Sequence, residues 1–132
     1  MSERIARAAI RVYVAGPLFG SGRSTANLHN ALAAAERVRA AGMFPFVPHL
    51  FHTWDTVFPH DDVDYWLDMD RVWLEQCHAM VRLRGESPGS VREEAWCAEL
   101  GIPVYHEPDA TGASGIWRLI SDYAAGYIEG IA

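Results

Sequence analysis

The stretch from Ile10 to Val47 limits the fold of this chain more than any other. Ile10-Arg11-Val12-Tyr13-Val14-Ala15 is a short β-branched run that stops at Gly16-Pro17, which reads as a buried first strand. A glycine-rich loop follows, Gly16-Pro17-Leu18-Phe19-Gly20-Ser21-Gly22-Arg23-Ser24. From about Thr25 to Ala41 the spacing predicts a helix, with Leu28, Leu32, Ala35 and Val38 on one stripe and Gly42 as its stop. Phe44-Pro45-Phe46-Val47 is a second strand ended by Pro48. Strand, glycine-rich loop, helix and strand open a βαβ unit, and that connection demands a parallel sheet.

The same alternation continues. His49 to Asp64 is the least regular part, with His49, Phe51, His52, Trp54, Asp55, His60, Asp61 and Asp62 lying around two prolines. Tyr65 to Gln76 reads as a helix, Met80-Val81-Arg82-Leu83 as a third strand and Ile102-Pro103-Val104-Tyr105 as a fourth. A last helix presents Ile116, Leu119, Ile120, Tyr123 and Tyr127 on one face. The expectation is one α/β domain over residues 1–132, a three-layer sandwich of Rossmann or flavodoxin type. Its parallel sheet would have four or five strands, with helices on both faces. In such sheets ligands bind beyond the carboxyl ends of the strands, where the strand order reverses.

Composition narrows the function classes. Half of the 132 residues are hydrophobic, enough for a core that buries roughly two thirds of the unfolded surface. The formal net charge of −6 speaks against binding to polymeric nucleic acid, which needs a basic face. Two cysteines, Cys77 and Cys97, make neither a disulfide framework nor a closed cysteine zinc site; they read as small buried apolar residues in a reducing cytoplasm. No signal peptide and no run long enough for a membrane span is apparent.

Ser87-Pro88-Gly89-Ser90-Val91-Arg92-Glu93 carries the densest chemistry. Ser90 reads as a helix N-cap and Glu93, three residues on, as its capping-box partner. The alternative for Glu93 is a nucleophilic carboxylate kept ionised by the helix N-terminus. Asp70, on the helix before the third strand, is either a solvated side chain or a second carboxylate beside a scissile glycosidic carbon. His49, His52 and His60 raise a divalent-metal alternative, but no helical His-Glu-x-x-His pattern is present. Trp54 and Phe19 are candidates either for stacking on a base or for core packing.

Five segments in order resemble a known family: Val12-Tyr13-Val14-Ala15-Gly16-Pro17, Pro45-Phe46-Val47-Pro48-His49-Leu50, Asp70-x-x-x-Leu74, Ser87-Pro88-Gly89-Ser90-x-x-Glu93 and Gly101-Ile102-Pro103-Val104. They resemble the nucleoside 2-deoxyribosyltransferase-like superfamily, and within it the branch that hydrolyses nucleoside 5′-monophosphates. The resemblance implies Glu93 as nucleophile, Asp70 as sugar-positioning or proton-carrying carboxylate, and Tyr13 beside them. Ser87 stands where the transferase branch has an aspartate and the nucleotide branch a phosphate-binding serine. Gly89 and Ser90 would add donors to that phosphate, with Gly16, Ser21, Arg23, His49 and Trp54 as further substrate-binding residues. His78 departs from an aspartate common in relatives, and the first loop lacks the family's closely spaced serine and arginine. The expected reaction is hydrolysis or base exchange at the N-glycosidic bond of a nucleotide or nucleoside, with no metal and no cofactor. A non-catalytic nucleotide-binding module is the alternative. The resemblance also implies a homodimer or higher homo-oligomer.

Overall fold

Alternation along one strand explains the architecture. The computed structural model describes residues 9–18 and 24–128. Its first strand, β1 (Arg11–Ala15), is buried from Val12 to Ala15 and sends successive side chains to opposite faces of the sheet. Val12 and Val14 enter one apolar cluster, Tyr13 and Ala15 another. β2 (Phe44–Phe46), β3 (Ala79–Leu83) and β4 (Val104–Glu107) complete a four-stranded sheet in the order β2-β1-β3-β4. Every pairing is parallel. The expected parallel sandwich is therefore present, with four strands.

Among the described residues five α-helices flank the sheet: α1 (Ser24–Ala40), α2 (Phe51–Val57), α3 (Val63–Leu74), α4 (Pro88–Leu100) and α5 (Gly115–Ala124). Ala31, Ala34, Ala35 and Val38 of α1 and Ile116 and Leu119 of α5 close one face over Val12, Val14 and Val81. Leu74 of α3 and Cys97 of α4 close the other over Tyr13, Ala15 and Met80. Both cysteines are buried and free, so their reading as small apolar residues holds. Each aliphatic side chain fully buried this way stabilises the fold by about 1.5–3 kcal/mol. No described helix is long and apolar enough to cross a membrane.

The stretch after β2 and the end of α5 differ from the sequence expectation, and β4 begins two residues later than expected, after Pro103. The irregular stretch after β2 contains a 3₁₀ turn (Pro48–Leu50) and then α2. Its β-branched residues and histidines are poor helix formers, and tertiary contacts hold it instead. The Phe51 ring lies 5.7 Å from Phe46 and 5.6 Å from Trp66. At the other end, α5 stops at Ala124 and the chain turns at Gly126, whose φ of 79° lies in the left-handed region. The helical stripe therefore does not reach Tyr127, which is 80% exposed, and Ile128 is buried in its place.

Candidate active site

The strand order places the reversal between β1 and β3, because the chain leaves β1 for β2 on one side and returns to β3 on the other. Gly16 ends β1 there. A Cβ at Gly16 would lie 2.9 Å from the Leu83 Cβ, so the glycine lets the first loop pass the end of β3. Opposite it, the turn after β3 runs into α4. Ser87, not Ser90, is the N-cap: its backbone is extended and its Oγ accepts from the Ser90 N–H at 3.1 Å. Pro88 takes the first helical position, where its missing N–H costs no bond and its φ is already helical.

That geometry corrects the capping-box reading. Ser90 lies inside the first turn, and Glu93 falls in the second turn, free of any cap; no acidic residue occupies the first turn. Glu93 is buried and accepts a hydrogen bond from the Tyr13 hydroxyl, across 80 residues of sequence. Tyr13 is itself fully buried in the middle of β1. A cleft of about 440 Å³ opens above the pair, lined among others by Gly16, His49, Asp70, Ser87, Gly89 and Glu93. The chain thus gathers six of the residues named from sequence around one space, with Tyr13 beneath.

Burial dominates the electrostatics. It raises Glu93 to about 7, opposed by the Tyr13 hydrogen bond and reinforced by the charge of Asp70. Asp70 is likewise raised to about 7 by burial. The expectation that the helix end keeps Glu93 firmly ionised is replaced by two carboxyls that titrate near neutrality. The Tyr13 phenol is pushed far up, first by burial and then by Glu93, and so acts only as a donor in this pair. Burial pushes His49 down. Its Nε2–H donates to the Pro17 carbonyl at 3.3 Å, because a carbonyl only accepts, and this leaves Nδ1 as an acceptor. Among the described residues three buried side-chain atoms lack a partner: His49 Nδ1, Asp70 Oδ1 and Ser90 Oγ. His49 and Asp70 both line the cleft, and a buried acceptor left open is a demand for a ligand donor.

Other expectations land elsewhere. Trp54 stands outside the lining, half exposed, with its ring 5.2 Å from Trp66 in a T-shaped contact. Phe51 and Trp66 are the aromatic walls of the cleft itself. Ser90 is buried beside the cleft, outside its lining. Phe19, Ser21 and Arg23 lie outside the described residues. His52, Asp55 and His60 also line the cleft, and Asp55 accepts from the His60 backbone N–H at 3.0 Å. Their place at the cleft was hidden in sequence because neither α2, which carries His52 and Asp55, nor the turn after it, which carries His60, was legible there. Among the described residues no three histidine, cysteine or acidic side chains are grouped as metal ligands.

Residues 10–107 match the family described as Domain of unknown function (DUF7768). No curated protein matches the chain. Among solved structures, a conserved protein from Enterococcus faecalis V583 is similar with a TM-score of 0.63 at 18% identity, over 89% of this chain and 76% of that one. A 2-desoxiribosyltransferase from Leishmania mexicana is similar with a TM-score of 0.52 at 16% identity, over 74% of this chain and 63% of that one. A 2-deoxyribosyltransferase from Bacillus psychrosaccharolyticus gives 0.50 at 16%, over 73% and 70%. At these identities the likeness is one of fold.

Proposed function

The chain belongs to the DUF7768 family, and from the geometry of its cleft we propose that it cleaves the N-glycosidic bond of a nucleoside 5′-monophosphate. The observation that carries this reading is the trio of Tyr13, Glu93 and Asp70: a buried and a partly buried carboxyl, both raised to about 7 at one cleft, the buried one tied to a buried phenol. The fold it shares with two deoxyribosyltransferases supports the same reaction class.

In the first step a Glu93 carboxylate oxygen attacks C1′. The C1′–N bond breaks, its electron pair leaves with the base nitrogen, and protonated Asp70 supplies the proton. In the second, water attacks C1′ of the glycosyl ester, its proton returns to Asp70, and Glu93 departs as carboxylate. A second base in place of water gives exchange. Tyr13 lowers the charge density on Glu93 and fixes its orientation. The phosphate would lie at the N-terminus of α4, where Ser87, the Gly89 N–H and the helix dipole meet an anion. A Cβ at Gly89 would touch nothing within 4 Å, so the start of α4 is open beside that residue. Phe51 and Trp66 offer flat faces to the base.

Incubation with a panel of ribo- and deoxynucleoside monophosphates, followed by chromatography for free base, tests the proposal. Base release that Glu93→Ala abolishes supports it. Thermal stabilisation by a nucleotide without base release would instead establish a non-catalytic binding module.

A further inference from the structure

Glu94, the neighbour of the candidate nucleophile, centres a second polar group that the mechanism leaves unused. Arg82 follows Met80 by two residues on β3 and therefore faces the α4 side of the sheet. In register it stands between Ala15 of β1 and His106 of β4. Its Nε donates to Glu94 Oε2 at 3.2 Å, and the other Glu94 oxygen meets His106 Nε2 at 2.7 Å. The two remaining guanidinium nitrogens donate to the backbone carbonyls of Leu83 and Gly85, the latter at 2.9 Å. The Arg82 side chain is only 11% exposed.

One planar cation thus holds the second turn of α4 and the chain leaving β3 together. That chain, from Leu83 to Gly85, leads directly into Ser87 and Gly89. It also abuts the first loop: a Cβ at Gly85 would lie 2.9 Å from Pro17 Cγ, and the φ of 122° there already requires glycine. The brace therefore sets the separation of the two loops that bound the cleft at Gly16 and Ser87.

We propose that Arg82 is a positioning residue for the reaction at Glu93, holding the Ser87–Gly89 turn in place and fixing a positive charge beside the nucleophile's helix turn. The chemistry rests on the glycosidase reading; the brace does not. The groups acting on Glu93 are Tyr13 from β1, Asp70 from α3, Arg82 from β3 and Arg92 on α4 itself, with Arg82 and Arg92 favouring the ionised form. Cys97, one turn further along α4, senses the Glu93 charge in return. Glu94, which itself meets His106, holds Arg82 by its other oxygen.

Arg82→Met and Arg82→Lys separate the two parts of the role. Lysine keeps the charge but, as a point donor, cannot span three acceptors in one plane. Arg82→Met raises KM for the monophosphate by roughly tenfold to a hundredfold, the scale of a misplaced binding group. It also moves the acid limb of the kcat/KM–pH profile upward by about half a pH unit to one pH unit. Arg82→Lys raises KM comparably but leaves that limb near its wild-type position. Variants that lower only the melting temperature, with KM and the acid limb unchanged, overturn the proposal. If the wild type releases no base, the glycosidase reading falls, and Arg82 is judged by ¹³C-carboxyl titration of Glu93. Its midpoint rises in Arg82→Met and holds in Arg82→Lys; a midpoint indifferent to both overturns the proposal. Should Arg82→Met fail to fold, the KM increase in Arg82→Lys stands as the test.

Discussion

Strand β1 presents Val12 and Val14 to one side of the sheet and Tyr13 and Ala15 to the other, and the two sides are put to different use. The side under α1 and α5 is mostly aliphatic, with Val38, Ile116 and Leu119 almost fully buried, and its one buried phenol, Tyr105, bonds Asp122 away from any carboxyl pair. The side under α3 and α4 admits a phenol, two carboxyls and, at its edge, an arginine–glutamate–histidine chain. Apolar burial stabilises wherever it occurs. Buried carboxyls destabilise once they ionise, and they persist only where something else repays the loss. The difference teaches that stability is concentrated on one face so that the other can hold groups poised for chemistry. Two adjacent glutamates show it on a smaller scale. Glu94 pairs with the Arg82 guanidinium and meets His106 Nε2, whereas Glu93 is left with a neutral hydroxyl donor and is raised to about 7.

The contrast is sharpest in Glu93→Gln. Base release should fall by at least about a thousandfold, as for other nucleophiles that act within a unit. The same change should stabilise the fold at pH 8. The folded-state value of about 7 lies above the ordinary 4.5, so the favourable contribution of the carboxyl is full below 4.5 and is lost as pH rises through 7. Denaturant unfolding should therefore show Glu93→Gln more stable than wild type by on the order of 2–3 kcal/mol at pH 8, with the gap closing towards pH 4. Equal stabilities at both pH values would break the comparison.

Asp70→Asn should lower base release by about 10²–10⁴-fold and remove the alkaline limb of the pH–rate profile. Both carboxyls are raised to about 7, chiefly by burial, and the attack needs one ionised and the other protonated. A narrow bell centred near 7 is the expected profile; a plateau from pH 5 to 9 would exclude this division of labour.

On the α1/α5 face, Leu119→Ala should cost about 2–5 kcal/mol of unfolding free energy, while kcat of the folded fraction stays unchanged. A large drop in kcat with intact folding would show that the two faces are not separable. The smallest effect belongs to Gly89→Ala. The fold should tolerate it, or gain about 0.5–1 kcal/mol from the lost backbone entropy of glycine. KM for a monophosphate should nevertheless rise about tenfold, equivalent to about 1.4 kcal/mol, with KM for the free nucleoside unmoved.

Much of the scaffold was legible in the chain. The β-branched run ended by Gly16-Pro17, the Pro48 that follows β2 and the left-handed Gly42 after α1 are local signals with local causes. The start of α4 was misread because Ser-x-x-Glu at Ser90 outweighed the better signal, a serine directly before a proline at Ser87-Pro88. Helix α2 left no trace because Phe46 and Trp66, not its own residues, hold it in shape. The pairing of Tyr13 with Glu93 was suggested by resemblance; spacing alone does not predict a contact across the sheet. Titration near 7 was illegible for the same reason, since the burial that causes it exists only once α3 and α4 close over β1.

The central claim is that Glu93 forms a covalent bond to the sugar, and acid quenching during turnover tests it most directly. With a nucleoside monophosphate that releases base, mass spectrometry of the digested protein should find a sugar phosphate on the peptide carrying Glu93 and none in Glu93→Gln. Sustained base release from Glu93→Gln, with no adduct on that peptide in the wild type, would contradict the account.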